Sequence, residues 1–261
     1  MNTKDSRHVK SSFSVQRLVT VVIVLLLFLW SSRGADFDAS RLIEGIPRMG
    51  EFFSRMVPPD MSVAKTVLKS TLETIQIALF GTFLSAIISF IAGILAAENI
   101  TPVYINRPVK WLLAILRGIP VILLALLFVS TVGLGPFPGV LAIALHSTGM
   151  LGKFYSEAME NAKIGPIEAL EAAGANFIQK IRFGILSQSA PDLARDTLFR
   201  FELNLRESLI LGLVGAGGIG FYILLYIRSF QYDKVATLTA VVLIAVVIIE
   251  QISISIRKSL R

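Results

Sequence analysis

Three groups of residues have the types and spacing to do chemistry. Gly215, Gly217 and Gly220 follow a G-x-G-x-x-G pattern, the spacing that lets backbone amides cradle a dinucleotide pyrophosphate. Glu202 and Arg206 are four apart, so on a helix they share a face, with the acid on the favoured N-terminal side for an ion pair. His146, Ser147 and Thr148 form a polar group within an apolar stretch. Such groups either hydrogen-bond neighbouring helices or line a water-filled path.

The dinucleotide reading requires a strand before the glycines and a βαβ unit around them. Neither is present, because the glycines lie inside the uncharged apolar run Leu209 to Ile227. There they serve close helix–helix approach, or local flexibility where helices rock. No G-x-x-x-x-G-K-[ST] sequence occurs, so the chain has no phosphate-binding loop of its own. With no cysteine and two histidines, disulfide and thiolate chemistry are excluded, and little remains for a zinc or iron site. The net charge of +7 does not point to nucleic acid, because no basic stretch is interleaved with aromatics.

The elements that must position these residues lie in lipid. Of 261 residues, 54% are hydrophobic and 16% charged, and the mean hydropathy is +0.71. A soluble domain carries about 25% charged residues. A hydrocarbon core of roughly 30 Å is crossed by about 20 apolar helical residues. Leu18 to Ser32 follows a basic leader and is read as an uncleaved first span, with a cleavable signal peptide as the competing reading. Thr74 to Ala97 is a second uncharged span. Gly118 to Gly152 also lacks charge but is too long for one crossing; Gly133 to Pro138 divides it into a third and a fourth. Leu209 to Ile227 is read as the fifth span and Val235 to Ile256 as the sixth. Between the first two spans, Leu42, Ile46, Met49, Phe53 and Met56 recur at helical spacing among charges. Residues 35–60 therefore form an amphipathic helix, lying in the membrane interface or packed on the bundle.

Lys and Arg concentrate before Leu18, from Glu98 to Arg117, from Lys153 to Arg206 and after Ile256. By the positive-inside rule both termini are cytoplasmic, residues 1–17 form a cytoplasmic tail, and 35–60 is periplasmic. Residues 18–261 are then one transmembrane domain. The longest inner segment, 153–206, contains Ile167 to Gly174 (IEALEAAG), a helix with Gly165–Pro166 at its start and Gly174 as its stop. An amphipathic return stretch, FIQKIRFGIL, follows. A short helix protruding from a bundle suits docking into a partner's groove.

Glu168-Ala169-Leu170, three residues and then Gly174 resemble the EAA loop of ABC importer permeases. After that glycine the family shows Ile-x-Leu-Pro, whereas this chain has Gly184-Ile185-Leu186-Ser187. The block Arg200-Phe201-Glu202-Leu203-Asn204-Leu205-Arg206, then Gly212 to Gly220 (GLVGAGGIG), is similar to phosphonate-type permeases. So are Val132 to Phe137, His146 to Gly149 and Ser156-Glu157-Ala158. Glu207 and Ser208 stand where that family has small uncharged residues. The resemblance covers the chain after about Thr74.

It implies an all-α membrane protein, a type I ABC importer permease with six transmembrane helices. Glu168, Ala169, Leu170 and Gly174 would form a coupling helix seated in an ATP-binding subunit. The partners implied are a second copy of the chain, two ATPase subunits and a periplasmic substrate-binding protein, in a bacterial inner membrane. The chain would not be an enzyme and would need no cofactor, since ATP binds the partner. Its cargo would be phosphonate or a related phosphorus oxyanion. His146, Glu202, Asn204, Arg206 and Ser208 are the candidates for the translocation path, and Arg suits such oxygens through its planar fork. Gly215, Gly217, Gly218 and Gly220 are the candidate gating or packing glycines. The alternatives are a secondary transporter or channel for a small anion, and an intramembrane enzyme. The first would show broken helices and internal repeats; the second would show clustered ionisable residues at membrane depth.

Overall fold

The computed structural model describes residues 8–259, with side chains from residue 15 onward. Lys4, Arg7, Arg261 and the side chain of Lys10 lie outside the described residues. The chain divides into two units, Met1–Ser54 and Arg55–Arg261.

The first unit holds α1 (His8–Gly34) and α2 (Ala39–Ser54). Helix α1 begins ahead of the apolar run, and its stretch Val15–Gly34 is long and apolar enough to cross a membrane. Helix α2 has Leu42, Ile46, Met49 and Phe53 on its apolar face, continues through Pro47 and buries no residue.

The second unit begins with a 3-10 turn, Met61–Val63, then α3 (Ala64–Ala96), α4 (Val103–Gly118), α5 (Val121–Val132) and α6 (Pro136–Glu160). Next come α7 (Ile164–Ala172), α8 (Phe177–Gln179), a π-helical turn Lys180–Leu186 and α9 (Ser187–Gly212). Helices α10 (Ile219–Arg228) and α11 (Tyr232–Ser259) complete it. No strand occurs among the described residues.

Helices α3, α6 and α9 pack against one another at the centre. Small residues let α3 and α6 meet closely. A Cβ on Gly81 would lie 2.6 Å from Ile143, and one on Gly93 would lie 2.8 Å from Tyr155. The opposite side of α3 leaves Phe80, Phe83, Ile87 and Ile91 exposed, as a lipid-facing surface requires. Apolar cores lie at both ends: Ile77, Leu124, Ile143 and Leu211 at one, and Leu151, Tyr155, Met159 and Ile185 at the other.

Three helical stretches among the described residues are long and apolar enough to span a membrane, or four if α4 and α5, which meet at 84°, count as one broken span. Six spans were expected. The shortfall has a physical cause, since α6 and α9 bury polar residues against protein rather than presenting apolar ones to lipid. Helix α6 buries Ser147, Thr148 and Ser156, and α9 buries Arg200, Asn204 and Ser208.

The expected division at Gly133 to Pro138 is present, with Gly133 and Gly135 at φ of +100° and +131°. The run Leu209 to Ile227, expected as one span, is instead broken. Helix α9 ends at Gly212, residues 213–218 turn, and α10 starts at Ile219. Apolar character alone could not reveal the turn, because its glycines score as apolar while adopting left-handed φ.

Candidate functional site

The helix expected between Gly165 and Gly174 is α7. Ile167 and Leu170 turn inward, where a Cβ on Gly184 would lie 3.1 and 3.3 Å from them. Gly184 in the π-helical turn thus gives α7 its seat. Glu168 and Ala169 face outward and are exposed. Gly174, at φ +80°, donates its N–H to the Glu171 carbonyl, and Ala175 N–H bonds the Leu170 carbonyl. This pair of bonds is the Schellman ending, which favours glycine at the left-handed position. Asn176 and Gln179 then cap α8 reciprocally, and Lys180 Nζ lies 3.2 Å from Glu171 Oε1 across the turn.

Gln188 ties down the start of α7. Its Oε1 accepts from Lys163 N–H at 3.0 Å, and its Nε2 donates to the Lys163 carbonyl at 3.2 Å and the Gly184 carbonyl at 2.6 Å. No sequence signal marks this residue. Ser187, in place of the family's proline, donates its hydroxyl to the Phe183 carbonyl. Phe177, Ile178 and Phe183 are exposed around α7. An outward acidic helix beside exposed apolar side chains has the composition of a helix-in-groove contact.

A polar seam runs through the interior between α3, α6 and α9. Arg200 is 2% exposed. Its Nε donates to Ser147 Oγ at 2.9 Å, Ser147 Oγ donates to Asn204 Oδ1 at 2.8 Å, and Asn204 Nδ2 donates to Thr82 Oγ1 at 2.8 Å. Arg200 Nη2 lies 3.0 and 2.9 Å from Glu207 Oε1 and Oε2, and Nη1 meets Met150 Sδ at 3.3 Å. Every buried polar atom in the seam is therefore partnered, as interior polar groups require. Asn204 and Ser208 are wholly buried. His146 is half-buried, and its Nδ1–H donates to the Ile119 carbonyl at 3.1 Å, at the bend between α4 and α5.

Glu202 and Arg206, expected to pair along one helix, do not. Glu202 takes Arg257 of α11 at 2.7 Å, and Arg206 takes Glu250 of α11 at 3.2 Å. The tertiary partners win because α9 and α11 pack side by side. The expected path residues therefore divide: His146, Asn204 and Ser208 turn into the bundle, while Glu202 and Arg206 face α11. Arg200 and Glu207 were missed as a pair. Their separation of two helical turns on one face was the available signal.

The glycine turn and the start of α10 lock onto α3 and onto the start of α6. Gly218 N–H donates to Glu73 Oε1 and Ile219 N–H to Thr74 Oγ1, both at 2.9 Å. The first amides of α10 are thus capped from α3. Gly135 N–H bonds the Gly215 carbonyl at 3.0 Å. A Cβ on Gly220, in the first turn of α10, would lie 2.0 Å from the Leu209 carbonyl oxygen, so α10 folds back against α9 only with glycine there.

A helical bundle with three or four stretches long and apolar enough to cross a membrane, and with an outward helix ended by glycine, suits a membrane subunit that docks on a partner. Residues 89–258 match the binding-protein-dependent transport system inner membrane component family, and the chain belongs to that family. It is a permease subunit of an ABC importer, not an enzyme.

The chain is 36% identical to the phosphite transport system permease PtxC of Stutzerimonas stutzeri, over 85% of this chain and 81% of that one. It is 37% identical to the putative phosphite transport permease HtxC of the same organism, over 93% and 86%. With the phosphate-import permease PhnE of Mycolicibacterium smegmatis the identity is 35%, over 88% of this chain and 43% of that one. The fold is similar to that of the MetNI methionine ABC transporter in an inward-facing conformation. There the TM-score is 0.69 at 20% identity, over 77% of this chain and 99% of that one.

Proposed function

We propose that the chain carries a phosphorus oxyanion (phosphonate, phosphite or phosphate) across a bacterial inner membrane by alternating access. The observation that supports this most is its similarity, over most of both chains, to the phosphite transport permease PtxC, with the HtxC relative, named a putative phosphite permease, alongside it. In this reading α1, α3, the bent pair α4–α5, α6, α9 and α11 are the six crossings, and both termini are cytoplasmic. Residues 35–60 are periplasmic, and 153–206 comprise the cytoplasmic coupling segment and the start of the fifth crossing.

Two copies of the chain, or this chain with a related permease, would associate with two ATP-binding subunits and a periplasmic binding protein. Closure of the ATPase pair would press the outward faces of α7, at Glu168 and Ala169, toward each other. Leu170 and Ile167, seated on Gly184, would transmit that movement into α9. The path would follow the polar seam past His146, Asn204 and Ser208, with Glu202 and Arg206 at its inner mouth. The glycine turn at Gly215, Gly217, Gly218 and Gly220 would close its outer end.

The test is a substrate panel. Proteoliposomes holding this chain, its ATPase and its binding protein are given labelled phosphonate, phosphite, phosphate and methionine. Uptake of at least one phosphorus oxyanion and not of methionine is expected. Uptake of none, with a binding protein that holds one of them, would overturn the cargo assignment.

A further inference from the structure

The seam contains a cation whose one charged partner among the described residues comes from its own helix. Arg200 lies in the bundle interior, where a charge is costly unless paired and hydrogen-bonded. Ser147 fixes its Nε edge, and Ser147 is itself held by Asn204, which is held by Thr82. The guanidinium plane is therefore set before any ligand arrives. Its other edge is spent unevenly. Nη2 faces both carboxylate oxygens of Glu207, whereas Nη1 has only the Met150 thioether, a weak acceptor. Glu207 is not sealed in: its side chain is 23% exposed against 3% for Arg200. From α6, His146 lies within electrostatic range of both members of the pair.

Building on the oxyanion reading above, we propose that Arg200 is the cargo-binding cation of the permease, and that Glu207 occupies its binding edge here as an internal stand-in for the oxyanion. A carboxylate and a phosphorus oxyanion offer the same chemistry to the Nη edge: negative charge on two or more oxygens. The tetrahedral oxyanion has a further oxygen, which can take Nη1 in place of the thioether. That gives cargo an advantage over Glu207 when the seam opens. Glu207 in turn supplies the release step. A carboxylate tethered two turns away competes at an effective concentration in the mM range, so cargo is expelled rather than clamped. An Arg alone would hold its ligand through two-point, charge-assisted bonds.

The experiment measures labelled phosphite binding to the permease–ATPase complex in nanodiscs without binding protein, alongside ATP-driven uptake in proteoliposomes. Glu207→Gln is expected to bind phosphite at least tenfold more tightly than wild type and to turn over more slowly. The double variant Arg200→Gln/Glu207→Gln, which leaves no charge unpaired, is expected to lose that binding. Where Glu207→Gln fails to assemble with the ATPase, Glu207→Asp, which shortens the tether, is expected to tighten binding as well. Equal affinity in wild type and either single variant, or binding retained in the double variant, overturns the proposal. If wild type takes up oxyanion with ATP while these affinities are unchanged, the exchange alone fails. If wild type takes up none, the cargo assignment fails with it.

Discussion

Arg200 and Glu207 stand two turns apart on α9, and both carboxylate oxygens lie within 3.0 Å of one guanidinium nitrogen. The pair stabilises the bundle only as a pair. Arg200→Gln strands a half-buried carboxylate and breaks the bond to Ser147. A loss of about 3 kcal/mol is predicted, since removing one partner of a buried ion pair costs roughly 3–5 kcal/mol. The double variant Arg200→Gln/Glu207→Gln should recover part of it. Thermal unfolding in detergent checks both; a double variant no more stable than Arg200→Gln would contradict the pairing.

The two ion pairs between α9 and α11 should differ in worth. Glu202 and Arg257 have side chains 11% and 22% exposed, against 41% and 53% for Glu250 and Arg206. Glu250→Gln should change stability by less than about 1 kcal/mol, as exposed pairs do. Glu202→Gln should cost about 2 kcal/mol, because it leaves Arg257 without its charge partner in a drier place. Equal losses in unfolding measurements would contradict this ranking.

The junction of α9 and α10 tolerates no side chain at its closest point. Gly220→Ala places a Cβ against the Leu209 carbonyl and should destabilise by at least about 1–3 kcal/mol, the range for overpacked sites. Gly118→Ala meets nothing within 4 Å and serves as the control. Unfolding temperatures of the two variants separate a local packing defect from a general effect of alanine.

Transmission through α7 depends on its ending and its anchor. Gly174→Val forces a β-branched residue into left-handed φ, and Glu168→Lys reverses the charge on the outward face. Both should lower ATP-driven uptake at least tenfold while leaving the permease in the membrane. Gln188→Ala should lower it less, through loss of the bonds to Lys163 and Gly184. Uptake and immunodetected permease are measured on the same vesicles, and normal uptake by Gly174→Val would contradict the coupling role of α7.

Acid should loosen the start of α3. Hydrogen bonds from the Ser62 hydroxyl and then from its amide hold the Asp60 carboxyl below its ordinary range. A depressed folded value stabilises above the unfolded pKa of about 3.9 and is lost as pH falls through the folded value. Hydrogen exchange at the Ser62 amide, corrected for intrinsic rates, should therefore be protected at pH 5 and lose protection as the pH falls below the ordinary carboxylate range. Unchanged protection would contradict the cap.

Local features were legible in the sequence and tertiary ones were not. Glu168 to Gly174 announced α7 because a helix and its glycine stop are written within a few residues. The break at Gly133 to Pro138 and the amphipathic face of α2 were readable for the same reason. Helix α9 was not placed correctly, since its buried Arg200, Asn204 and Ser208 give it the hydropathy of a loop. Hydropathy measures contact with lipid, and these residues contact α3 and α6. The partners of Glu202 and Arg206 lie on α11, more than forty positions along the chain, where spacing rules for a single helix cannot reach. Glu207 stood out as a departure from the family pattern, and its meaning required the distance to Arg200.

The most direct test follows oxyanion accumulation and ATP hydrolysis together in proteoliposomes containing the permease, its ATPase and its binding protein, with no ion gradient imposed. Accumulation above the external concentration only when ATP reaches the ATPase, lost together with coupled hydrolysis in Gly174→Val, is the predicted result. Accumulation without ATP, driven by a proton or sodium gradient, would contradict it and make the chain a secondary transporter.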